Sequence, residues 1–307
     1  MAALISFEEG EKYLDWIALS DAFIKGHQLP KAEIADVLLC QGDNTLLNRS
    51  AWIEDMGLAV KCATIFPKNA VEGKPTIGGA VNLFSGQDGK LEAIVDFHLV
   101  TKWKTAADSL LGARRLARDD SSKILIVGAG TVGHSLYAAY SALFPDAQFT
   151  VWNRSPEGAE AFARVHPRTD VAMSLADAVE QADIITSATM STNPLLKGEW
   201  LRPGQHLDLI GAYRPDMREA DDEVLRRGRL FVDSRDTTID HIGELKTPIS
   251  EGVISQHDVI ADFYQMDRMR RECDDEITVF KNGGGAHLDL MTSRYILSSW
   301  QASGSRS

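Results

Sequence analysis

Cysteine is scarce in this 307-residue chain, with only Cys40, Cys62 and Cys273 present. An odd number so widely spaced forms neither a disulfide framework nor a C-x-x-C metal or redox pair, which fits a reducing compartment. Long apolar runs are lacking too, since no stretch approaches the ~18 residues that cross a bilayer. The opening MAALISFEEGEKYLDW has no basic n-region and no apolar core followed by a small-residue cleavage site. Positive charge is in deficit: 32 Lys and Arg against 44 Asp and Glu give a formal net charge of −12. Nucleic acid and anionic membranes are repelled by such a body, so neither is expected as a partner. These absences predict a soluble, cytoplasmic protein. What is present is ordinary globular composition, 44% hydrophobic and 25% charged, which argues against disorder. At about 100–200 residues per domain, the length predicts two domains.

The rhythm of the chain changes near residue 120. Before it, periodicity predicts a helix over 11–24, then polar turn sequence around Gly42, Asp43 and Asn44. Strand-like stretches at 57–66, 79–84 and 91–97, separated by Pro/Gly/Asn punctuation, read as an antiparallel meander. A helix is predicted over 105–118. After Asp119 and Asp120, apolar runs at 123–127, 149–152, 184–188, 206–210 and 230–232 alternate with helical segments near 135–143, 159–165, 175–180 and 219–226. Short buried strands alternating with helices are the pattern of a parallel sheet covered on both faces. A last strand at 277–281 precedes three glycines, a helix over about 286–300 and a polar tail, 301–307. The expected fold class is therefore α/β, a Rossmann-type doubly wound parallel sheet with a smaller α+β domain before it.

The strongest local signal is Gly128-Ala129-Gly130-Thr131-Val132-Gly133, which follows the strand at 123–127 and opens a helix. In that context Gly128 permits a tight turn, Gly130 lets a pyrophosphate approach the backbone, and Gly133 allows close helix–strand packing. The first helical N–H groups, from Thr131 and Val132 onward, then face the phosphates. The next strand ends in Asn153-Arg154-Ser155, without the Asp or Glu that usually binds an NAD ribose. A cation and hydrogen-bond donors there favour NADP(H) over NAD(H), which remains possible. Arg154 is otherwise a solvated turn residue.

Several segments together resemble the ornithine cyclodeaminase/mu-crystallin family. Ala59-Val60-Lys61, leading to Phe66-Pro67-Lys68-Asn69, is similar to the family's G-x-K…P-x-N strand, with Ala59 in the glycine position. Thr101-Lys102-Trp103-Lys104-Thr105-Ala106-Ala107 resembles its T-x-x-R-T-A-A helix start, with Lys104 in the arginine position. The dinucleotide turn, the stretch 182–189 ending in Ala188 and Thr189, the stretch 211–219, and Phe280-Lys281-Asn282-Gly283-Gly284-Gly285 follow in the family's order. The resemblance implies a substrate-binding and dimerisation domain over 1–118, completed by 283–307, and a dinucleotide-binding domain over 119–282. It places the active site in the cleft between them and implies a homodimer. Ala188, Thr189, Asn282 and Gly283 join the residues expected to hold the cofactor, Asn282 and Gly283 where the family returns to the nicotinamide.

An imine or amino-acid substrate needs a cation for its carboxylate, best supplied by Arg or Lys, and a proton donor or acceptor at nitrogen. Arg49, Lys61 and Lys104 are the candidates. Arg49, just before the meander, is either the carboxylate's partner or a surface arginine. Lys61 interrupts an apolar strand and either snorkels to solvent or is buried for a reason, burial tuning it for acid/base work. The resemblance makes it the active-site lysine. Lys104 keeps the charge of the usual arginine but loses its fork. The cyclodeaminase form of the 211–219 loop is G-D-x-P-G, and Tyr213 stands in its aspartate position. Asp216 either assists catalysis from a shifted position or caps a helix starting near Met217. Without that aspartate, the resemblance implies NADP(H)-dependent reduction of a preformed cyclic ketimine: Δ1-pyrroline-2-carboxylate to L-proline, or Δ1-piperideine-2-carboxylate to L-pipecolate. The alternatives are an ornithine cyclodeaminase, an alanine-type dehydrogenase, or a crystallin-like NADP-binding protein without turnover. His206, His241 and His287 show no ligand spacing, so no metal site is expected. Trp103 and Trp152 read as core residues.

Overall fold

A computed structural model describes residues 2–304, which form two compact units: the first holds residues up to Lys104 and those from Gly285, the second Thr105–Gly284. The contact boundary thus lies at Lys104, while the change of composition lies near residue 120. Residues 305–307 of the expected polar tail lie outside the described residues.

In the first unit β1 (Ala3–Ile5) is followed by α1 (Phe7–Glu11) and α2 (Trp16–Gly26). The single helix expected over 11–24 is divided, because Asp15 takes an extended backbone and its side chain accepts a hydrogen bond from Ala18 N at 2.8 Å, starting a new helix. Five strands come next: β2 (Glu33–Gln41), β3 (Asn44–Ile53), β4 (Gly57–Ile65), β5 (Ile77–Phe84) and β6 (Leu91–Asp96). The expected meander is β4–β6. The β2–β3 hairpin was not expected, and the residues read as turn-rich are its two-residue loop, closed by Gly42 at φ +58°. The helix expected from residue 105 starts earlier, as α3 (Phe97–Leu116), where the Asp96 carboxylate accepts from Leu99 N at 2.9 Å.

The six strands form one sheet in the order β1-β6-β5-β4-β3-β2, antiparallel except for β1 beside β6. The C-terminal helix, Ala286–Ala302, lies on one face of it against β2–β5 and beside α2. Ala51, Ile53, Ala59 and Ala63 are buried there. Among the described residues, no helix packs on the opposite face at β2, where Val37 and Leu39 are 51% and 59% exposed, beside Trp52 at 55%. β2 is also an unpaired edge.

The second unit continues α3 and carries an all-parallel sheet. Its strands are β7 (Lys123–Val127), β8 (Gln148–Trp152), β9 (Thr169–Val171), β10 (Ile184–Ser187), β11 (His206–Leu209), β12 (Arg229–Val232), β13 (Val259–Ala261) and β14 (Thr278–Lys281). Helices α4 (Thr131–Leu143), α5 (Pro156–Val165), α6 (Leu175–Gln181), α7 (Asp222–Arg227), α8 (Arg235–Thr238) and α9 (Gly243–Ser250) connect them, which makes the C-terminal helix α10. The order is β13-β12-β14-β11-β10-β7-β8-β9. Its β9-β8-β7-β10-β11 half has the 3-2-1-4-5 order of a dinucleotide-binding sheet, with the reversal between β7 and β10. The chain is an α/β protein, as expected. β9, β13, α8 and α9 went unread because each is three to eight residues long. The helix expected over 219–226 begins only at Asp222, capped by Asp221, whose carboxylate accepts from Val224 N at 3.0 Å. Among the described residues, no helix is long and apolar enough to cross a membrane.

Candidate active site

Strand register assembles the cations of the first unit. Asp36, Arg49 and Lys61 are direct partners across β2, β3 and β4, so their side chains share the face that carries α10. Arg49 is therefore within the sheet, not before it, and its Nε donates to Asp36 Oδ2 at 3.0 Å. Lys61 is 6% exposed and Lys104, on α3, is 7% exposed. Neither snorkels to solvent. All three sequence-derived cations thus belong to one cluster, in which Arg49 and Lys104 act electrostatically on Lys61.

Lys61 Nζ donates to Asp289 Oδ1 on α10 at 2.9 Å and to Thr101 Oγ1 on α3 at 2.8 Å. The Phe97 ring centroid lies 4.7 Å from the same nitrogen. Burial pushes the Lys61 amine down to about 8; Asp289 opposes that push, and Lys104 and Arg49 reinforce it. Burial also works to raise the Asp289 carboxyl, but Lys61, Lys104 and Arg49 outweigh it and hold the group ionised. His287 is buried on α10 and packs edge-on to His27 of α2, with ring centroids 5.3 Å apart. Burial lowers both imidazoles, His27 to about 4 and His287 well below its usual range, so both are neutral near pH 7.

In the second unit the turn after β7 fits a dinucleotide. Gly128 has φ +109°, and a Cβ there would meet Ala188 O at 2.8 Å, across the β7–β10 reversal. At Gly133 a Cβ would come within 2.2 Å of Gly128 O, so no larger residue lets α4 start this close to the strand. A Cβ at Gly130 would meet nothing within 4 Å, which leaves the approach to the backbone open. Gly130 is the N-cap of α4 and supplies no side-chain acceptor, so Thr131, Val132 and their neighbours present backbone donors for an anion. Asn153 Oδ1 accepts from Ala129 N at 3.2 Å and thereby braces the turn. Ser155 caps α5, accepting from Gly158 N at 3.1 Å. Arg154 is exposed and has no ion-pair partner among the described residues.

Beside that turn, Thr189 donates through both its N and its Oγ1 to Glu219 Oε1, each at 2.7 Å. Ser187 Oγ donates to the same oxygen at 2.7 Å, and Gly211 N donates to Oε2 at 2.6 Å. Glu219 is fully buried and ties the segments after β10 and β11 together. Its own N donates to Glu244 Oε2 at 2.8 Å. After β14, Asn282 donates to Thr105 O at 3.0 Å and Ser109 Oγ at 2.9 Å, while Gly284 N donates to Asp233 Oδ2 at 2.6 Å. A Cβ at Gly283 would meet Thr238 at 2.4 Å. Asp216 caps no helix. It is exposed and joined to Arg214 by two 2.8 Å hydrogen bonds, because the next helix starts six residues later, at Asp222.

Thr101, Asp289, Glu219 and Asp233 were not singled out from sequence. Asp289 left a signal, a lone carboxylate in the apolar run Leu288–Met291 of the last helix. Glu219 left no such signal, since it stands at the start of the helix expected over 219–226.

Residues 50–304 match the ornithine cyclodeaminase/mu-crystallin family. The chain is 50% identical over 300 residues to a Δ(1)-pyrroline-2-carboxylate reductase of Paracoccus denitrificans, covering 95% of each chain. Its fold is similar to that of Thermococcus litoralis Δ(1)-pyrroline-2-carboxylate reductase in complex with NADH and L-proline, at TM-score 0.89, 26% identity and 98% of each chain. It is also similar to an archaeal alanine dehydrogenase dimer with bound NAD, at TM-score 0.90 and 26% identity, covering 100% of this chain and 98% of that one.

Replacing Glu219 tests the clamp. Glu219→Gln turns one acceptor oxygen into a donor facing buried donors, and is expected to cost about 1–3 kcal/mol of unfolding free energy by urea denaturation. It is also expected to weaken dinucleotide binding, measured by fluorescence titration.

Proposed function

The chain belongs to the ornithine cyclodeaminase/mu-crystallin family, and from that premise we propose that it is an oxidoreductase that reduces small cyclic ketimine carboxylates. The substrates are Δ1-pyrroline-2-carboxylate and Δ1-piperideine-2-carboxylate, and the products are L-proline and L-pipecolate. The observation that carries this reading is the pair of buried lysines, Lys61 and Lys104, with the half-buried Arg49, set against the buried carboxylate of Asp289 and the partly exposed one of Asp36. The cluster's excess of positive charge suits a small anion, and the buried Lys61 suits a proton donor. Tyr213, 57% exposed, stands in place of the cyclodeaminase aspartate, which favours reduction of a preformed imine over deamination.

The first unit takes the substrate. Arg49 and Lys104 hold the carboxylate by charge-assisted hydrogen bonds, and Lys61 delivers a proton to the ring nitrogen. The second unit holds the dinucleotide on Gly128–Gly133, with Asn153, Arg154 and Ser155 toward the adenosine ribose and Ala188, Thr189, Asn282 and Gly283 toward the nicotinamide. Bound there in reduced form, the cofactor supplies hydride to the imine carbon. The free Arg154 favours a 2′-phosphate and hence NADP(H).

The assembly is a homodimer built on the open face of the first sheet. Val37, Leu39 and Trp52 leave an apolar surface there, beside an unpaired edge strand that soluble proteins normally cover. Light scattering is expected to give twice the chain mass for the wild type and a monomer for Leu39→Lys. A monomeric wild type removes this reading.

The function is tested by NADPH and NADH oxidation with both imines. Wild type is expected to oxidise NADPH, and Lys61→Ala to lose about 10²–10⁴-fold in kcat. Arg154→Ala is expected to raise KM for NADPH about tenfold or more while sparing NADH. As pH rises past about 8, Lys61 loses its proton, so kcat/KM for reduction falls. Ammonia and proline formed from L-ornithine, without imine reduction, would overturn the reading in favour of a cyclodeaminase.

A further inference from the structure

A lysine ammonium has three N–H donors. In Lys61 one is taken by Asp289 Oδ1 at 2.9 Å and one by Thr101 Oγ1 at 2.8 Å, which leaves a single N–H without a hydrogen-bond acceptor among the described residues, on a nitrogen that lies 4.7 Å from the Phe97 ring centroid. The two bonds come from different helices, α10 and α3, so together they fix both the position of Nζ and the bearing of its remaining hydrogen. Asp289 is 1% exposed, and its Oδ2 has no hydrogen-bond partner among the described residues. The hydrogen bonding of its carboxylate therefore runs through Lys61, at 2.9 Å, while Lys104 and Arg49 act on it through charge alone.

We propose that Asp289 is a positioning residue for proton transfer: it holds the Lys61 ammonium so that its one uncommitted N–H serves the substrate's imine nitrogen. This rests on the reductase reading above. In the step, hydride adds to the imine carbon, the C=N π pair becomes a nitrogen lone pair, and that pair takes the proton from Nζ. Lys61 is left as a neutral amine and regains its proton from water. Thr101 serves both states, because its hydroxyl accepts from the ammonium and, once rotated, donates to the neutral amine. The ionised Asp289 favours the loaded, protonated state of Lys61 against the burial that opposes it.

The charged and titratable groups facing Lys61 are Arg49 from β3, Lys104 from α3 and Asp289 from α10. His287 of α10 and His27 of α2 lie beside that group and are neutral near pH 7. Asp289 is thus the one group of the cluster whose charge keeps the proton on Lys61. Its removal moves the Lys61 titration down, while the titration of the substrate's own nitrogen stays where it was.

The test compares wild type, Asp289→Asn and Asp289→Glu by two readouts: the pH profile of imine reduction, and the titration of Lys61 Nζ by NMR of protein labelled with 15N at lysine side chains. In Asp289→Asn both the alkaline limb of kcat/KM and the Nζ midpoint are expected to move down by about one unit or more, the size of a close opposite charge. Its kcat near neutral pH falls about tenfold or more, with KM for the imine changed far less, as a misplaced donor requires. Asp289→Glu restores the limb in part. Fluorescence titration with NADPH checks that each variant is folded. A folded Asp289→Asn whose limb, Nζ midpoint and kcat match wild type would overturn the proposal. If the midpoint shifts but wild type reduces neither imine, the reductase reading falls and takes the proton-delivery role with it.

Discussion

The first unit is organised around keeping a charged lysine inside the face of a sheet. Burying an ammonium costs several kcal/mol unless an opposite charge and further hydrogen bonds meet it. Asp289 and Thr101 meet it here, and both depend on helices reaching close to β4. Ala59 and Ala63, flanking Lys61 on the same face, are small enough to let α10 approach. The register that puts Arg49 opposite Lys61 then gathers positive charge, met by Asp289 at Lys61 and by Asp36 at Arg49. A chain of net charge −12 can therefore carry a local excess of positive charge, because the overall charge governs large polyanions and the local cluster sets the field at this face.

The second unit inverts this arrangement. Lys281, 1% exposed, is surrounded by the buried acids Asp208, Glu219, Asp233 and Glu244 and donates to Leu209 O at 2.7 Å. Burial raises Asp208 and Glu244 to about 7 each, while Lys281 works to lower both. Three of these acids hold backbone: Glu219 ties the segments after β10 and β11, Asp233 ties the glycines after β14, and Glu244 takes the N–H groups of Glu219 and Ala220. The rim that frames the dinucleotide turn is thus fixed from below, and the turn itself is fixed by the two glycine contacts at Gly128 and Gly133.

Much of this was legible from the sequence. The strand–turn–helix around Gly128 and the alternation after residue 120 are local patterns, and Lys61 stood out against an apolar strand. The missed features are non-local. The β2–β3 hairpin lacks alternation because both faces of β2 are exposed, and so Arg49 was placed outside the sheet that in fact aligns it with Lys61. Asp289 lies 228 residues from its partner Lys61, a separation no periodicity reports. Asp216 looked like a cap because a proline and a carboxylate precede a helical pattern, yet Asp221 starts the helix. Glu219 is held out of that helix by Glu244, whose carboxylate takes the N–H groups of Glu219 and Ala220.

The central claim is a division of labour, with hydride going to carbon from the dinucleotide and a proton going to nitrogen from Lys61. Single-turnover reduction of Δ1-pyrroline-2-carboxylate with NADPH deuterated at the transferred position of C4 tests it most directly, by mass and NMR analysis of the product. The account predicts L-proline carrying one deuterium at C2, formed at a rate that falls as pH rises past about 8. Proline without deuterium at C2, or a racemic product, would contradict it.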